Sequence, residues 1–240
     1  MIRYRTPVQI PAGTLNEKTR VNWIEKSLKE IPAGARILDA GAGEQPFKMF
    51  CNHLNYVSQD FAKYDPKKMN LGLQMNSWNY GQLDIISDIA LIPEPDKSFD
   101  AIICTEVLEH IINPREAIKE FGRLLKNNGT LLLSAPFCSL THFAPYHYYS
   151  GFSKFFYEKE LAANNFIIQE IIPNGNYFEY LAQELRRLSF VGQKYASHDF
   201  SKKEKVLTNN ILRSLNQLSK NDHGSSELLC FGYHIVAQKK

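Results

Sequence analysis

Arg36-Ile37-Leu38-Asp39-Ala40-Gly41-Ala42-Gly43-Glu44 is the stretch whose reading decides the fold. An apolar run ends in an acid and then meets Gly-x-Gly, as a buried strand does when it delivers a tight turn. Glycine lacks Cβ and tolerates positive φ, so backbone at such a turn approaches a ligand closely. A dinucleotide site would want a third small residue near position 46, for close helix–strand packing beside a pyrophosphate. Pro46 stands there instead. The turn therefore points to a nucleoside cofactor and argues against a dinucleotide oxidoreductase.

On the amino-terminal side, Val21, Ile24, Leu28 and Ile31 recur at helical spacing and predict a helix over about 16–30, with Thr14 and Glu17 spaced as a capping box. Downstream, a short helix is expected near 46–53, then strands at 56–60, 83–88 and 99–105. Ala101-Ile102-Ile103-Cys104 is apolar throughout, as in a strand buried on both faces. Asn113, Pro114 and Glu116 fit N-cap, N1 and N3 of a helix whose apolar face is Ala117, Ile118, Phe121, Leu124 and Leu125. Lys126-Asn127-Asn128-Gly129 then turns the chain into a fifth strand at 130–135. Helices near 153–164, 177–189 and 202–218, and strands at 167–172 and 228–237, complete the expectation. Strands alternating with helices predict an α/β fold, a Rossmann-like, doubly wound and mostly parallel seven-stranded sheet with helical additions between the last strands. The polar stretch 62–82 carries no clear pattern.

Composition narrows the function classes. The chain has 240 residues, 44% hydrophobic and 22% charged, with a net charge of +3. That balance gives no electrostatic footprint for nucleic acid, which is not expected as a partner. No apolar run approaches the length of a membrane span, and Met1–Pro7 lacks an apolar signal core, so membrane insertion is not expected and a cytoplasmic location is. Cys51, Cys104, Cys138 and Cys230 lie far apart and read as reduced thiols.

Asp39, Asp60 and Asp88 each end a predicted strand, where open α/β sheets bind ligands. Asp60 lies close to the distance from the glycine turn at which an acid takes both ribose hydroxyls. Asp88 is placed to accept from an adenine amino group, with Ile89 against the ring.

Taken in order, Leu38-Asp39-Ala40-Gly41-Ala42-Gly43, Asp60, Ser87-Asp88-Ile89, Ser98 to His110 and Arg123 to Gly129 resemble a class I S-adenosylmethionine-dependent methyltransferase, more narrowly the type 11 methyltransferase domain. The resemblance implies a single domain over 1–240, with a cofactor-binding core at about 33–137, an acceptor or lid region at about 138–222 and a closing strand at about 227–238. It implies S-adenosyl-L-methionine as cofactor. Asp39, Gly41, Ala42 and Gly43 would surround its methionine portion, Asp60 its ribose, Phe61, Asp88 and Ile89 its adenine, with Thr105 and Glu106 beneath the sulfonium. The family commonly has glycine where Gln45 stands.

A hydroxyl acceptor needs a base, and His142 and His147 are the candidates, in an aromatic segment that follows the fifth strand. Glu106, Glu109 and His110 are expected on one helical face, with Val107, Leu108, Ile111 and Ile112 turned to the core. The E-x-x-E-H spacing is similar to the metal-binding motif of a family of small-RNA 2′-O-methyltransferases, and this resemblance implies a divalent-metal site that His142 or His147 would complete. Metal-independent relatives also carry Leu-Glu-His here, and the chain is read without a metal. The segments 141–152 and 174–184 resemble the accessory region of bacterial methyltransferases that act on sugars and surface polysaccharides. They imply a small-molecule or glycan acceptor, a sugar hydroxyl first, with a quinone precursor, an RNA 2′-hydroxyl or a non-catalytic cofactor-binding module as alternatives. The helices over 177–222 are expected to cover the acceptor pocket, form a homodimer contact or simply pack on the core.

Overall fold

The computed structural model describes residues 10–68 and 71–240. Met1–Pro7, where the sequence lacks a signal core, lies outside them. The described chain forms two compact units, residues 20–172 with 232–240, and residues up to 19 with 173–231.

The larger unit is built on a seven-stranded sheet in the order β3-β2-β1-β4-β5-β7-β6. The strands are β1 (Arg36–Ala40), β2 (Asn55–Asp60), β3 (Ile85–Ile86), β4 (Phe99–Thr105), β5 (Leu125–Pro136), β6 (Phe166–Asn174) and β7 (Gly232–Lys239). β1 pairs in parallel with both β2 and β4, and β5 continues in parallel from β4. β7 runs antiparallel to β5 from Thr130↔Gln238 to Pro136↔Gly232. Successive strands step from β1 to β2 and β3 on one side and to β4 and β5 on the other. The order therefore reverses at β1, and the crevice beyond its carboxyl end is where such sheets take ligands.

Helix α1 (Asn16–Lys29) places Trp23, Ile24 and Leu28 against Ile37, Ala101, Ile103 and Leu132. Helix α2 (Pro114–Leu124) has Pro at its first turn, where the missing N–H costs nothing. It buries Ala117, Ile118, Phe121 and Leu124 completely, as the apolar spacing predicts. Arg123 ties this helix to the loop after β3. Its guanidinium donates to the Ile92 and Glu94 carbonyls at 3.0 and 2.8 Å and pairs with Asp96 and Glu120. Helix α3 (Lys154–Ala163) follows the aromatic segment.

The smaller unit pairs α4 (Tyr177–Ala196) with α5 (Lys202–Lys220). Ala12, Ala182, Leu212 and Leu215 form its buried centre. Gly13 is required there, since a Cβ would run into the Ala182–Gln183 backbone, and its N–H donates to Glu179 at 2.7 Å. Asn176 caps α4, and Ser201 with Glu204 forms a full capping box on α5.

Several sequence expectations are corrected. Thr14 does not cap α1; its hydroxyl donates to the Pro11 carbonyl. The helix expected near 46–53 is one 3-10 turn, Lys48–Phe50. The strand expected over 83–88 shrinks to two residues, because Asp84 turns its carboxylate onto the Ser58 amide and hydroxyl. Lys126-Asn127-Asn128-Gly129 does not separate α2 from a strand. β5 already begins at Leu125, with an irregular register opposite Phe99–Ala101 and Asn128 at φ 63°. α4 runs to Ala196, and the last strand starts at Gly232 instead of 228.

Phe121 is completely buried. Phe121→Ala is expected to destabilise the chain by about 3–5 kcal/mol in denaturant unfolding. Phe155→Ala, at a ring 67% exposed, is expected to stay within about 0.5 kcal/mol.

Candidate cofactor and acceptor site

The register Ala40↔Gln59 brings the end of β1 beside the end of β2. There the Gly41 and Ala42 amides both donate to the Gln59 carbonyl, at 2.9 and 2.8 Å. Gly41 and Gly43 adopt positive φ, 77° and 52°, and neither has room for a side chain. A Cβ on Gly41 would meet Val107, and one on Gly43 would meet the Trp78 ring. Gln45, where the resembled family has glycine, takes the left-handed conformation that a glycine would, at φ 58°. Its side chain offsets the strain by donating from Nε2 to the Tyr80 and Gln82 carbonyls, at 2.8 and 2.9 Å.

Asp60 is the keystone of this corner. Only 6% exposed, it accepts from the Gly43 amide on Oδ2 and from the Ala62 amide on Oδ1, each at 2.9 Å. Burial raises its pKa, and the backbone N–H groups of Ala62, Gly43 and Phe61 pull the other way. Its backbone carbonyl accepts from Ser87 at 3.2 Å, which brings Asp88 to the same edge. Asp88 is exposed and accepts from the Ala90 amide at 2.9 Å, while Ile89 beside it is buried. Phe61 is half-buried and meets Tyr146 edge-on at 4.9 Å.

Asp39 lies deeper. Burial lifts its pKa to about 7 against the pull of the Tyr56 hydroxyl, which donates to Oδ2 at 2.6 Å; the nearby Asp60 charge raises it further.

The helical face expected for Glu106, Glu109 and His110 is not there. Glu106 takes a positive φ of 55°, and only Leu108–His110 coil, as a 3-10 turn. Ile112 is 62% exposed and not in the core, whereas Glu109 is fully buried. The reason is that β4 ends by handing its backbone to β5: the Glu106 amide donates to the Ser134 carbonyl at 2.9 Å. The Glu106 carboxylate is then held by the Ser134 hydroxyl at 2.9 Å and by Arg20 at 3.1 Å. Thr105 stands opposite Ser134 in the sheet. Arg20 lies in α1, and no sequence pattern marks it.

His142 and His147 do converge on this end of the sheet. The Tyr148 and Tyr149 amides donate to the Glu109 carbonyl, at 2.9 and 3.2 Å, and so dock the segment after β5 on the turn after β4. His142 lies with its ring 4.7 Å from His110 and 4.8 Å from His147. His147 Nε2 lies 3.2 Å from the Ser139 hydroxyl; burial and the neighbouring His142 lower its pKa. His110 is pushed to about 3, chiefly by burial.

The patternless stretch after β2 supplies residues that the sequence does not announce. Leu73 bridges to His142, donating to Thr141 and accepting from Phe143. Tyr64 and Trp78 pack on Phe143 at 4.3 and 5.0 Å, and Tyr80 meets Trp78 at 5.9 Å. Phe143 in turn meets His110 at 5.2 Å and His142 at 5.7 Å. The scatter of Tyr64, Trp78 and Tyr80 over 64–80 gives no period by which a helix or strand reveals itself, so aromatic content alone is the available signal.

Because Asp39 is raised in the folded chain, it favours folding below about pH 4, where it is protonated in both states, and this is lost as pH rises through about 7. Asp39→Asn is expected to match the parent in stability near pH 4. It is expected to exceed the parent by on the order of 2–4 kcal/mol at pH 8, measured by urea unfolding at both pH values.

A family model described as a methyltransferase domain matches residues 17–192. Ubiquinone biosynthesis O-methyltransferase of Xanthomonas oryzae pv. oryzae is 35% identical over 129 residues, which are 52% of this chain and 52% of that protein. The chain thus spans about half the length of that curated relative. Among solved structures, a SAM-dependent methyltransferase from Archaeoglobus fulgidus shares the fold with a TM-score of 0.55 at 18% identity, over 93% of this chain and 94% of that one. The [4+2]-cyclase SpnF superposes with a TM-score of 0.57 at 17% identity, over 95% of this chain and 83% of that one. The fold is thus common to proteins of different chemistry. The match over residues 17–192 is what places the chain: it belongs to the methyltransferase domain family.

Proposed function

We propose that the chain transfers a methyl group from S-adenosylmethionine to a hydroxyl of a small-molecule or glycan acceptor. The observation that carries this reading is the juxtaposition at the carboxyl end of the sheet. A glycine turn held by Asp60 lies at the point where the strand order reverses, and the turn after β4 docks a segment bearing histidines and aromatic rings.

Each Asp60 oxygen retains a lone pair beyond its backbone bond, enough to accept from two ribose hydroxyls. Asp88 and Ile89 take the adenine, beside Phe61. Asp39, Gly41, Ala42 and Gly43 would hold the methionine portion, and Thr105 and Glu106 would receive the sulfonium, with Arg20 pairing with the Glu106 carboxylate.

The cofactor arrives activated, so the protein chiefly aligns the acceptor and excludes water. When bound, the cofactor would supply its methyl group to the acceptor oxygen and keep the electron pair of the broken carbon–sulfur bond on sulfur, and the hydroxyl proton would pass to a base of this chain. His147 suits that role, since its lowered pKa keeps it neutral and able to accept at pH 7. The rings of Phe143, Tyr146 and Trp78 offer flat apolar walls to a ring-shaped acceptor.

A sugar hydroxyl is the first acceptor, on the likeness of segments 141–152 and 174–184 to sugar-modifying relatives. The name of the Xanthomonas relative favours a second, the phenolic hydroxyl of a quinone precursor. Incubation of the full chain with methyl-labelled cofactor, a panel of nucleotide sugars, a dihydroxybenzoate and RNA separates them. Label is expected in an O-methyl ether on a sugar or a phenol. Label in RNA, or no turnover with any acceptor while the cofactor binds, overturns the reading in favour of a nucleic-acid enzyme or a non-catalytic module. His147→Ala is expected to lower kcat by about 10²–10⁴ and leave S-adenosylhomocysteine affinity within about twofold.

A further inference from the structure

Helices α4 and α5 are joined by residues 197–201, a connection short enough to run them antiparallel as a hairpin. Ala182, Leu212 and Leu215 belong to its buried centre, with Leu181 and Leu185 packed against it. The connecting end of the hairpin is apolar on its outside. Leu188, Phe190, Tyr195, Val206, Leu207 and Ile211 are between 42% and 64% exposed. At the rise of an α-helix, all six lie within about 14 Å of the connection along the helix axes.

These side chains do not form one stripe. Leu188 and Tyr195, two turns apart, share a face of α4, and Phe190 is turned from it. Leu207 and Ile211, one turn apart, share a face of α5, and Val206 is turned from it. Lysines surround them. Lys194 lies over the Tyr195 ring at 5.2 Å and the Phe190 ring at 6.0 Å, and the exposed Lys202, Lys203 and Lys205 open α5. A helix dipole disfavours cations at its amino end, so helix stability does not account for three lysines there. Over 184–213 seven arginines and lysines stand against three acids, in a chain whose net charge is only +3. Two of those acids are already engaged, Glu184 by Arg187 and Glu204 by the Ser201 amide and His198.

We propose that this end of the hairpin docks on an anionic lipid surface. Its aromatic and aliphatic side chains enter the boundary between headgroups and acyl chains, and its lysines lay their stems along the apolar part and set their ammonium groups among the lipid phosphates. A fluid surface conforms to an end that is apolar on several sides, which a rigid protein face does not. A second copy of this chain would bring the same excess of positive charge against its own. The contact is peripheral: no helix among the described residues is long and apolar enough to cross a membrane. It goes beyond the methyl-transfer reading and stands independently of it.

The test is co-sedimentation of the full chain with vesicles of phosphatidylcholine alone and of phosphatidylcholine with one-third phosphatidylglycerol. Binding to the mixed vesicles is expected to be at least about tenfold tighter than to phosphatidylcholine, and to fall as salt is raised to about 0.5 M. Tyr195→Ser combined with Leu207→Ser is expected to weaken it at least about tenfold. Lys202→Glu combined with Lys203→Glu is expected to remove the preference for phosphatidylglycerol. Phe155→Ser, at an exposed ring on α3, leaves binding unchanged. Circular dichroism shows whether each variant folds. Glutamate is favoured at the amino end of a helix, so the lysine pair decides the matter even if the apolar pair does not fold. Absence of binding, equal binding to the two kinds of vesicle, or binding indifferent to both pairs of substitutions overturns the proposal. A dimer that the apolar substitutions dissolve, without vesicle binding, assigns this end to a second copy instead.

Discussion

The hydrogen bond from the Gly43 amide to the Asp60 carboxylate is the constraint on which the candidate site depends. Parallel pairing of β1 with β2 sets the two strand ends side by side, and the Gln59 carbonyl receives the first two amides of the turn. Asp60 then holds the third residue and the start of its own loop. One buried carboxylate thereby shapes a concave stretch of backbone where glycine alone would leave several conformations open. Gln45 extends the same logic. A residue with a Cβ accepts left-handed backbone because its amide group binds two carbonyls of the loop after β2.

The same end of the sheet concentrates ionisable groups that burial makes expensive. Asp39 is raised to about 7, Asp60 and Glu109 are raised as well, and His110 falls to about 3. Structural needs account for only part of this. Tyr56 relieves Asp39, and Arg20 with Ser134 relieves Glu106. The Glu109 carboxylate has no comparable relief among the described residues. Concentrations of perturbed groups of this kind are where binding and catalysis are found.

Much of this architecture is legible in the sequence. Ile37, Leu38, Ile102 and Ile103 are completely buried, as their continuous apolar runs require of central parallel strands. Asp60 closes β2 as its strand pattern predicts, whereas Asp88, expected at a strand end, lies two residues beyond the two-residue β3. The turn after β4 misleads, because Glu106, Glu109 and His110 fit a helical period over five residues, too few for periodicity to outweigh the pull of Ser134 on the backbone. The sequence overstates β3 because Asp84 prefers the Ser58 hydroxyl to a strand conformation. Arg20, Tyr64 and Trp78 carry no local signal, since each acts across a distance in sequence that only the folded sheet closes. The strongest local signals are those with a period or a turn, and the aromatic residues over 64–80 have neither.

The central claim is that the Asp60-held turn is a nucleoside site for S-adenosylmethionine. Calorimetric titration of S-adenosylhomocysteine into the wild-type chain and into Asp60→Ala tests it most directly. One equivalent bound by the wild type, weakened about 10–100-fold by loss of the two ribose bonds, is the predicted result. No binding to the wild type, or equal affinity in a folded Asp60→Ala variant, would contradict it.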